Sequence, residues 1–252
     1  MVNSHIDNPI SHRHYKSLAT HLMAKVEDNE IIGPGVWAEL TFSEKAVLPV
    51  IVRHADVAGM AFPSEERVAK LSGLNDRKTV RQSTKRLEQR KLISTRKNIT
   101  RKGHTQKMYN ASNILEKGSG FTIQSLFIDS GTWASLSPTA KSLAVVIWYF
   151  SALRQDLNPN FESGDYRYDR WVLKDMMAKY LAERSVDYCD SERLVLIQFS
   201  NISERSYAPA VRNLTKHGFI SPHPEKQDGW LVPLSPPDHK ILIEEFNDKK
   251  IW

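Results

Sequence analysis

The chain has 252 residues and one cysteine, with 40% hydrophobic and 25% charged residues, enough apolar surface for ordinary cores and too little cysteine for a disulfide scaffold or a cysteine zinc site. Lys and Arg total 35 against 29 Asp and Glu, a formal +6, which leans towards an anionic partner. The opening residues MVNSHIDNPISHRHYK lack the apolar core of a signal peptide, and the strongest apolar run, Leu143 to Phe150, lies between Lys141 and Arg154, too short for the roughly 20 residues of a membrane span. A cytoplasmic, nucleoid-associated protein with no membrane role is expected.

In chain order, residues 1–30 read as an N-terminal arm or helix, with Tyr15, Leu18, Leu22 and Val26 forming an apolar stripe at helical spacing. Trp37 to Ile51 (WAELTFSEKAVLPVI) then has a partner in Trp133 to Ile147 (WASLSPTAKSLAVVI). At an offset of 96, Trp37/Trp133, Ala38/Ala134, Leu40/Leu136, Lys45/Lys141, Val50/Val146 and Ile51/Ile147 are identical. Each block has Thr or Ser just after the Leu, as at the start of a helix. A second pair follows in the same order: GLNDRKTVRQSTKRLEQRKLI (Gly73 to Ile93) is similar to NISERSYAPAVRNLTKHGFI (Asn201 to Ile220) after a one-residue gap. Two ordered matches point to two copies of one fold.

The expected organisation is a first domain over 31–115, a linker over 116–124 that includes EKGSG, and a second domain over 125–235 with an insertion near 152–190. A tail or helix over 236–252 follows. In the insertion, Asp169 is placed to cap a helix bearing Leu173, Met176, Met177 and Tyr180.

Charge is distributed very unevenly along this plan. Between Arg77 and Lys107 stand twelve basic residues against one acid, Glu88; elsewhere 23 basic face 28 acidic residues, so a window at +11 is carried by a body at −5. Within Pro63 to Tyr109, Ser64 followed by Glu65 and Glu66 predicts an N-cap, Val68 and Leu71 the buried side of a short helix, and Gly73 its end. Asn75 or Asp76 then caps a second helix with Val80, Thr84 and Leu87 facing inward and Lys78, Arg81, Gln82 and Lys85 outward.

Helix, glycine turn and helix with a basic outer face is the helix-turn-helix pattern, whose second helix fits the major groove. There Arg and Lys donate to guanine edges and Gln pairs with adenine, which selects Arg77, Lys78, Arg81, Gln82 and Lys85, with Arg86 on the same helix. After Leu92 and Ile93, STRKNITRKGHTQKMYN predicts a hairpin turning near Lys102 and Gly103. It carries Arg96, Lys97, Arg101, Lys102 and Lys107 along phosphates. A merely solvated face would mix both signs, and like charge this dense repels itself unless an anion relieves it. Double-stranded DNA fits this better than RNA, since the patch lacks stacking aromatics apart from Tyr109 at its end.

These residues resemble the winged helix-turn-helix family over about 47 positions. The WAxL[TS] block and the second copy make most of the chain similar to plasmid and phage replication initiators built from two winged helices. The fold expected is mainly α with small β wings (α+β), in two tandem winged helix-turn-helix domains. The resemblance implies a homodimer that represses, a monomer that binds repeated origin sites, and recruitment of host replication proteins. A transcriptional repressor of the same fold shares the interface and is the alternative.

The second copy departs from the pattern. Ser200 to Val232 holds four bases and three acids, Pro209 falls where the helix is already under way, and a short turn is expected at Asp228-Gly229. It either reads DNA through Arg205, Tyr207 and Arg212 or makes protein contacts.

No catalytic, metal or cofactor site is expected. Cys189 lies between acids that oppose a thiolate, and Asp165, Asp169 and Asp175 have too few partners for a metal centre. No phosphate-cradling glycine motif occurs. His12, His14 and Tyr15 have the residue types of a metal-dependent nicking enzyme, but without the flanking apolar strand that would hold both histidines on one face. Supercoiled DNA incubated with the protein and Mg²⁺ or Mn²⁺ is therefore expected to stay supercoiled; a relaxed product that disappears in Tyr15→Phe would establish nicking.

Overall fold

The computed structural model describes residues 15–27, 30–99, 105–115, 121–152, 168–169, 191–222 and 230–232. The chain begins with strand β1 (Tyr15–Leu18), one turn of helix α1 (Thr20–Met23) and the strands β2 (Ala24–Glu27) and β3 (Glu30–Pro34), which pair antiparallel. The helical stripe expected over Tyr15 to Val26 is thus corrected. Leu18 and Leu22 are buried but Val26 is exposed, and Tyr15–Leu18 satisfies its backbone by pairing with a later strand, Phe121–Gln124. The last four residues of the expected linker are that strand; EKGSG itself lies outside the described residues.

Two short helices follow, α2 (Val36–Glu39) and α3 (Phe42–Arg53). Thr41 and Glu44 close a capping box on α3: the Thr41 hydroxyl accepts from Glu44 N at 3.4 Å, and the Glu44 carboxylate accepts from Thr41 N at 2.7 Å. Helix α3 is buried almost all round, from Glu44 to Val52, as suits a helix with neighbours on every side. Beyond it come β4 (Met60–Ala61), α4 (Glu65–Ser72), α5 (Arg77–Gln89), β5 (Ser94–Ile99) and β6 (Thr105–Asn110). The three strands form a sheet ordered β4-β6-β5, with β5 and β6 paired from Ser94↔Asn110 to Ile99↔Thr105.

The same order of elements recurs. After β7 (Phe121–Gln124) and α6 (Ser125–Asp129) come α7 (Thr132–Ser135), α8 (Pro138–Ala152), β8 (Tyr168–Asp169), α9 (Ser191–Ser200), α10 (Glu204–Lys216), β9 (Ser221–Pro222) and β10 (Trp230–Val232). The later strands form a sheet ordered β8-β10-β9. Helices α5 and α10 each have 13 residues. Pro209 lies inside α10, where the helix is already under way, and neither delays nor ends it; it sits on the exposed face, where water can satisfy the carbonyl that loses its donor. Asp169 lies in strand β8; the helix it was expected to cap, Cys189, Asp165, Asp175, the Asp228-Gly229 turn and residues 236–252 are outside the described residues.

The two halves share one core. Helix α3 packs against α8, and the contact is reciprocal: Trp37 Nε1 donates to Ser142 O at 3.1 Å, while Trp133 Nε1 donates to Ala46 O at 3.0 Å. Both donors and both acceptors are related by the offset of 96 found in the sequence. The turns after α4 and α9 also contact the opposite half reciprocally. Gly73 and Asn201 both have positive φ, at 68° and 50°. Gly73 lies so close to Ala134 that a Cβ would overlap its carbonyl oxygen, and Asn201 Nδ2 donates to Ala38 O at 2.8 Å. An Arg53–Asp129 ion pair at 2.7 Å and a cluster of Phe127, Trp133, Trp148 and Phe219 complete the junction.

Two buried lysines belong to the same region. Lys45 Nζ donates to Ser200 O at 2.7 Å, at the C-terminal end of α9, and Lys141 Nζ donates to Ala134 O and Leu136 O. Burial pulls each ammonium down to about 8, Glu44 opposing the fall at Lys45.

Replacing Gly73 by Ala adds a steric overlap to an unfavourable φ and is expected to cost about 2 to 4 kcal/mol in urea unfolding. Gly131→Ala, where φ is 80° but nothing lies near the added carbon, should cost only about 1 kcal/mol. Equal costs would remove the close approach to Ala134. The lysines give a pH dependence: above pH 8 the folded state releases protons that the unfolded state still holds, so stability should rise between pH 8 and 9.5. That window ends below the range where Tyr109, pushed up to about 12 by burial, would oppose it. The double variant Lys45→Met/Lys141→Met should flatten the rise.

Candidate nucleic-acid interface

The basic segment folds as capped helix, turn, capped helix and hairpin. Ser64 Oγ accepts from Arg67 N at 3.1 Å to start α4, and Gly73 ends it in the left-handed region, with Leu74 N donating back to Ala69 O at 2.9 Å. Asp76 then starts α5, its carboxylate accepting from Thr79 N at 2.7 Å and from the Thr79 hydroxyl at 2.8 Å. Those two bonds, the backbone one first, hold the Asp76 carboxyl below its ordinary range.

The inward side of α5 is Val80, Ser83, Thr84 and Leu87, all buried. Leu71 on α4 is only half-buried, with Val68 and Ala69 taking the core positions. Arg77, Lys78, Arg81, Gln82, Lys85 and Arg86 are all exposed along the outer side of α5. The hairpin splits the remaining cations. Strand alternation puts Lys97 on the face of its cross-strand partner Lys107, turned to α5, and Arg96 on the opposite face with Met108. Arg101 and Lys102 lie outside the described residues.

Lys107 is committed within the protein. Its ammonium donates to Thr84 Oγ1 at 3.1 Å, stands 3.6 Å from Glu65 and lies over the Tyr109 ring at 5.3 Å. It joins the hairpin to α5 instead of standing free beside Arg96. Glu88, the single acid of the basic window, is also occupied: its carboxylate accepts from Thr95 N at 2.8 Å and from the Thr95 hydroxyl at 3.2 Å. The negative charge in the patch thereby fastens the end of α5 to the start of β5. Lys91 takes a positive φ of 59° at this junction, and its carbonyl accepts from Asn113 Nδ2 at 3.1 Å.

In the second half, Arg205 and Arg212 are exposed on one side of α10. Tyr207 does not join them. It is half-buried against the core, with the Arg193 guanidinium 5.6 Å from its ring, and Arg193 also pairs with Glu204 at 3.1 Å. Glu65, Glu88 and Arg193 were missed by sequence reasoning as parts of this surface, because each acts on a partner across a turn or a strand. Only Glu65 had a local signal, and that signal marked a helix start.

Residues 38–93 match the family model described as a helix-turn-helix domain, the arrangement that supports sequence-specific DNA binding. No curated protein and no solved structure matches the chain. Among the described residues no group of His, Cys, Asp or Glu is placed to hold a metal ion, and no helix is long and apolar enough to cross a membrane. His12 and His14 lie outside them, and Tyr15 is the first residue of β1.

Proposed function

We propose that this protein binds double-stranded DNA sequence-specifically through α5 and the β5-β6 hairpin, and that it is a replication initiator acting at origin repeats. The observation that carries the DNA reading is the unbroken exposed stripe of Arg77, Lys78, Arg81, Gln82 and Lys85. It stands on a helix whose other side is anchored in the core and whose end is fastened to a basic hairpin. Helix α5 enters the major groove with its N-terminal half, and Arg96 and Lys97 follow the phosphates on either face of the wing.

The recurrence of the order from α2 to β6 in the run from α7 to β10, with reciprocal contacts between the halves, supports reading the chain as two winged helix-turn-helix units. That arrangement is the one on which the likeness to plasmid and phage initiators rests. On this reading the second unit, with Arg205 and Arg212 outermost, adds weaker DNA contacts, and homodimers and host replication proteins are its protein partners. The reading requires no catalytic step and no cofactor. A transcriptional repressor is the second reading, favoured by the helix-turn-helix match, which suits a lone operator equally.

If about six phosphates are neutralised, the logarithm of the binding constant should fall with the logarithm of salt concentration at a slope near −5. A slope near zero would contradict the interface. Arg81→Ala should change which base pairs are preferred, whereas Arg96→Ala should weaken all sequences alike. Footprinting on DNA flanking the gene separates the two readings: several regularly spaced protected repeats support initiation, and one isolated site supports repression.

A further inference from the structure

We infer that Glu65 is a positioning residue for DNA recognition: its carboxylate orients Arg81 for base contact and locks the wing to the recognition helix through Lys107. This inference rests on the DNA-binding reading above. Glu65 is the first residue of α4, and its carboxylate receives Arg81 Nε from α5 at 2.6 Å and faces Lys107 Nζ from β6 at 3.6 Å. Lys107 returns to α5 through Thr84 Oγ1 at 3.1 Å, and the Thr84 hydroxyl donates to Arg81 O at 3.1 Å. One carboxylate therefore joins the three elements that a DNA duplex would span.

The geometry at Arg81 suits orientation more than neutralisation. The hydrogen bond to the carboxylate runs from Nε, and the Arg81 side chain remains 63% exposed while that of Glu65 is 18% exposed. The guanidinium fork at its far end is left for a partner outside the protein. Two parallel N–H donors in that fork match the N7 and O6 acceptors of guanine. A free arginine loses much rotamer freedom on binding, and a side chain already held by its Nε loses less. The charge of Glu65 acts the other way on affinity, since a carboxylate near phosphates repels every duplex regardless of sequence. The residue should thus lower non-specific binding while raising discrimination, a signature that neither a helix-start acid nor a packing residue would give.

Glu66 supplies the control. It is the next first-turn acid of α4 and is exposed, so Glu66→Gln removes the same charge from the same helix end. The full-length protein would select duplexes from a random pool, and the variants would then be measured on the selected duplex and on a scrambled one. Thermal melting checks that each is folded. Glu65→Gln is expected to lower the ratio of selected to scrambled affinity about tenfold, with scrambled binding unchanged or tighter. Glu65→Asp, which keeps the charge but shortens the reach, should lose a similar ratio. Glu66→Gln should change it less than about twofold. In an Arg81→Ala background, Glu65→Gln should remove nothing further. An unchanged ratio in Glu65→Gln, an equal loss in Glu66→Gln, or full additivity with Arg81→Ala would overturn the positioning role while leaving DNA binding standing. Failure of the wild-type protein to enrich any sequence would instead overturn the DNA-binding reading itself.

Discussion

The packing of α3 against α8 is the constraint on which the rest depends. Two indole N–H groups, Trp37 and Trp133, are buried and must find acceptors; each finds one in the other half, Ser142 O and Ala46 O. An indole that donates across a junction fixes both the separation and the rotation of the two helices, where apolar contact alone would tolerate sliding. Because α5 packs on α3 and α10 on α8, the orientation of both outer helices follows from this central pair. The turn contacts of Gly73 with Ala134 and of Asn201 with Ala38 extend the same relation outward, so the core sets where the basic stripe stands.

Electrostatics at that stripe follows from what is paired and what is left open. The acids close to it, Glu65, Asp76 and Glu88, each accept hydrogen bonds or ion pairs from within the fold. Those contacts turn the three carboxylates to partners in the fold, and among the described residues Arg81 is the cation of the outer face of α5 that ion-pairs with one. Self-repulsion among those cations is relieved most simply by an external polyanion. The charge asymmetry therefore belongs to a shaped surface, a helix and a hairpin held at a fixed angle by Glu88, Thr95 and Lys107, and not merely to a run of basic residues.

Much of this was legible in the sequence where the determinants are local. Ser64, Gly73 and Asp76 mark the ends of α4 and α5 because caps depend on residues within one turn. Val80, Thr84 and Leu87 are buried because their spacing matches the helical repeat. The offset of 96 between the two tryptophans was readable too, though its meaning as a reciprocal contact was not, since nothing local says which carbonyl an indole will reach. The N-terminal stripe misled for a related reason. Leu18 and Leu22 are four apart and both buried, which fits a helix, yet a strand partner more than 100 residues away settled the backbone. Lys107 and Tyr207 have the side chains of outward contacts yet turn to partners within the fold, because the face a neighbouring element presents to them is not encoded locally.

The central claim is that α5 reads base edges in the major groove. Methylation interference on a duplex selected by the protein tests it most directly. Methylation at guanine N7, in the major groove, should block binding at specific positions, and Arg81→Ala should relieve the block at one of them. Interference confined to adenine N3, in the minor groove, or none at either, would contradict the account.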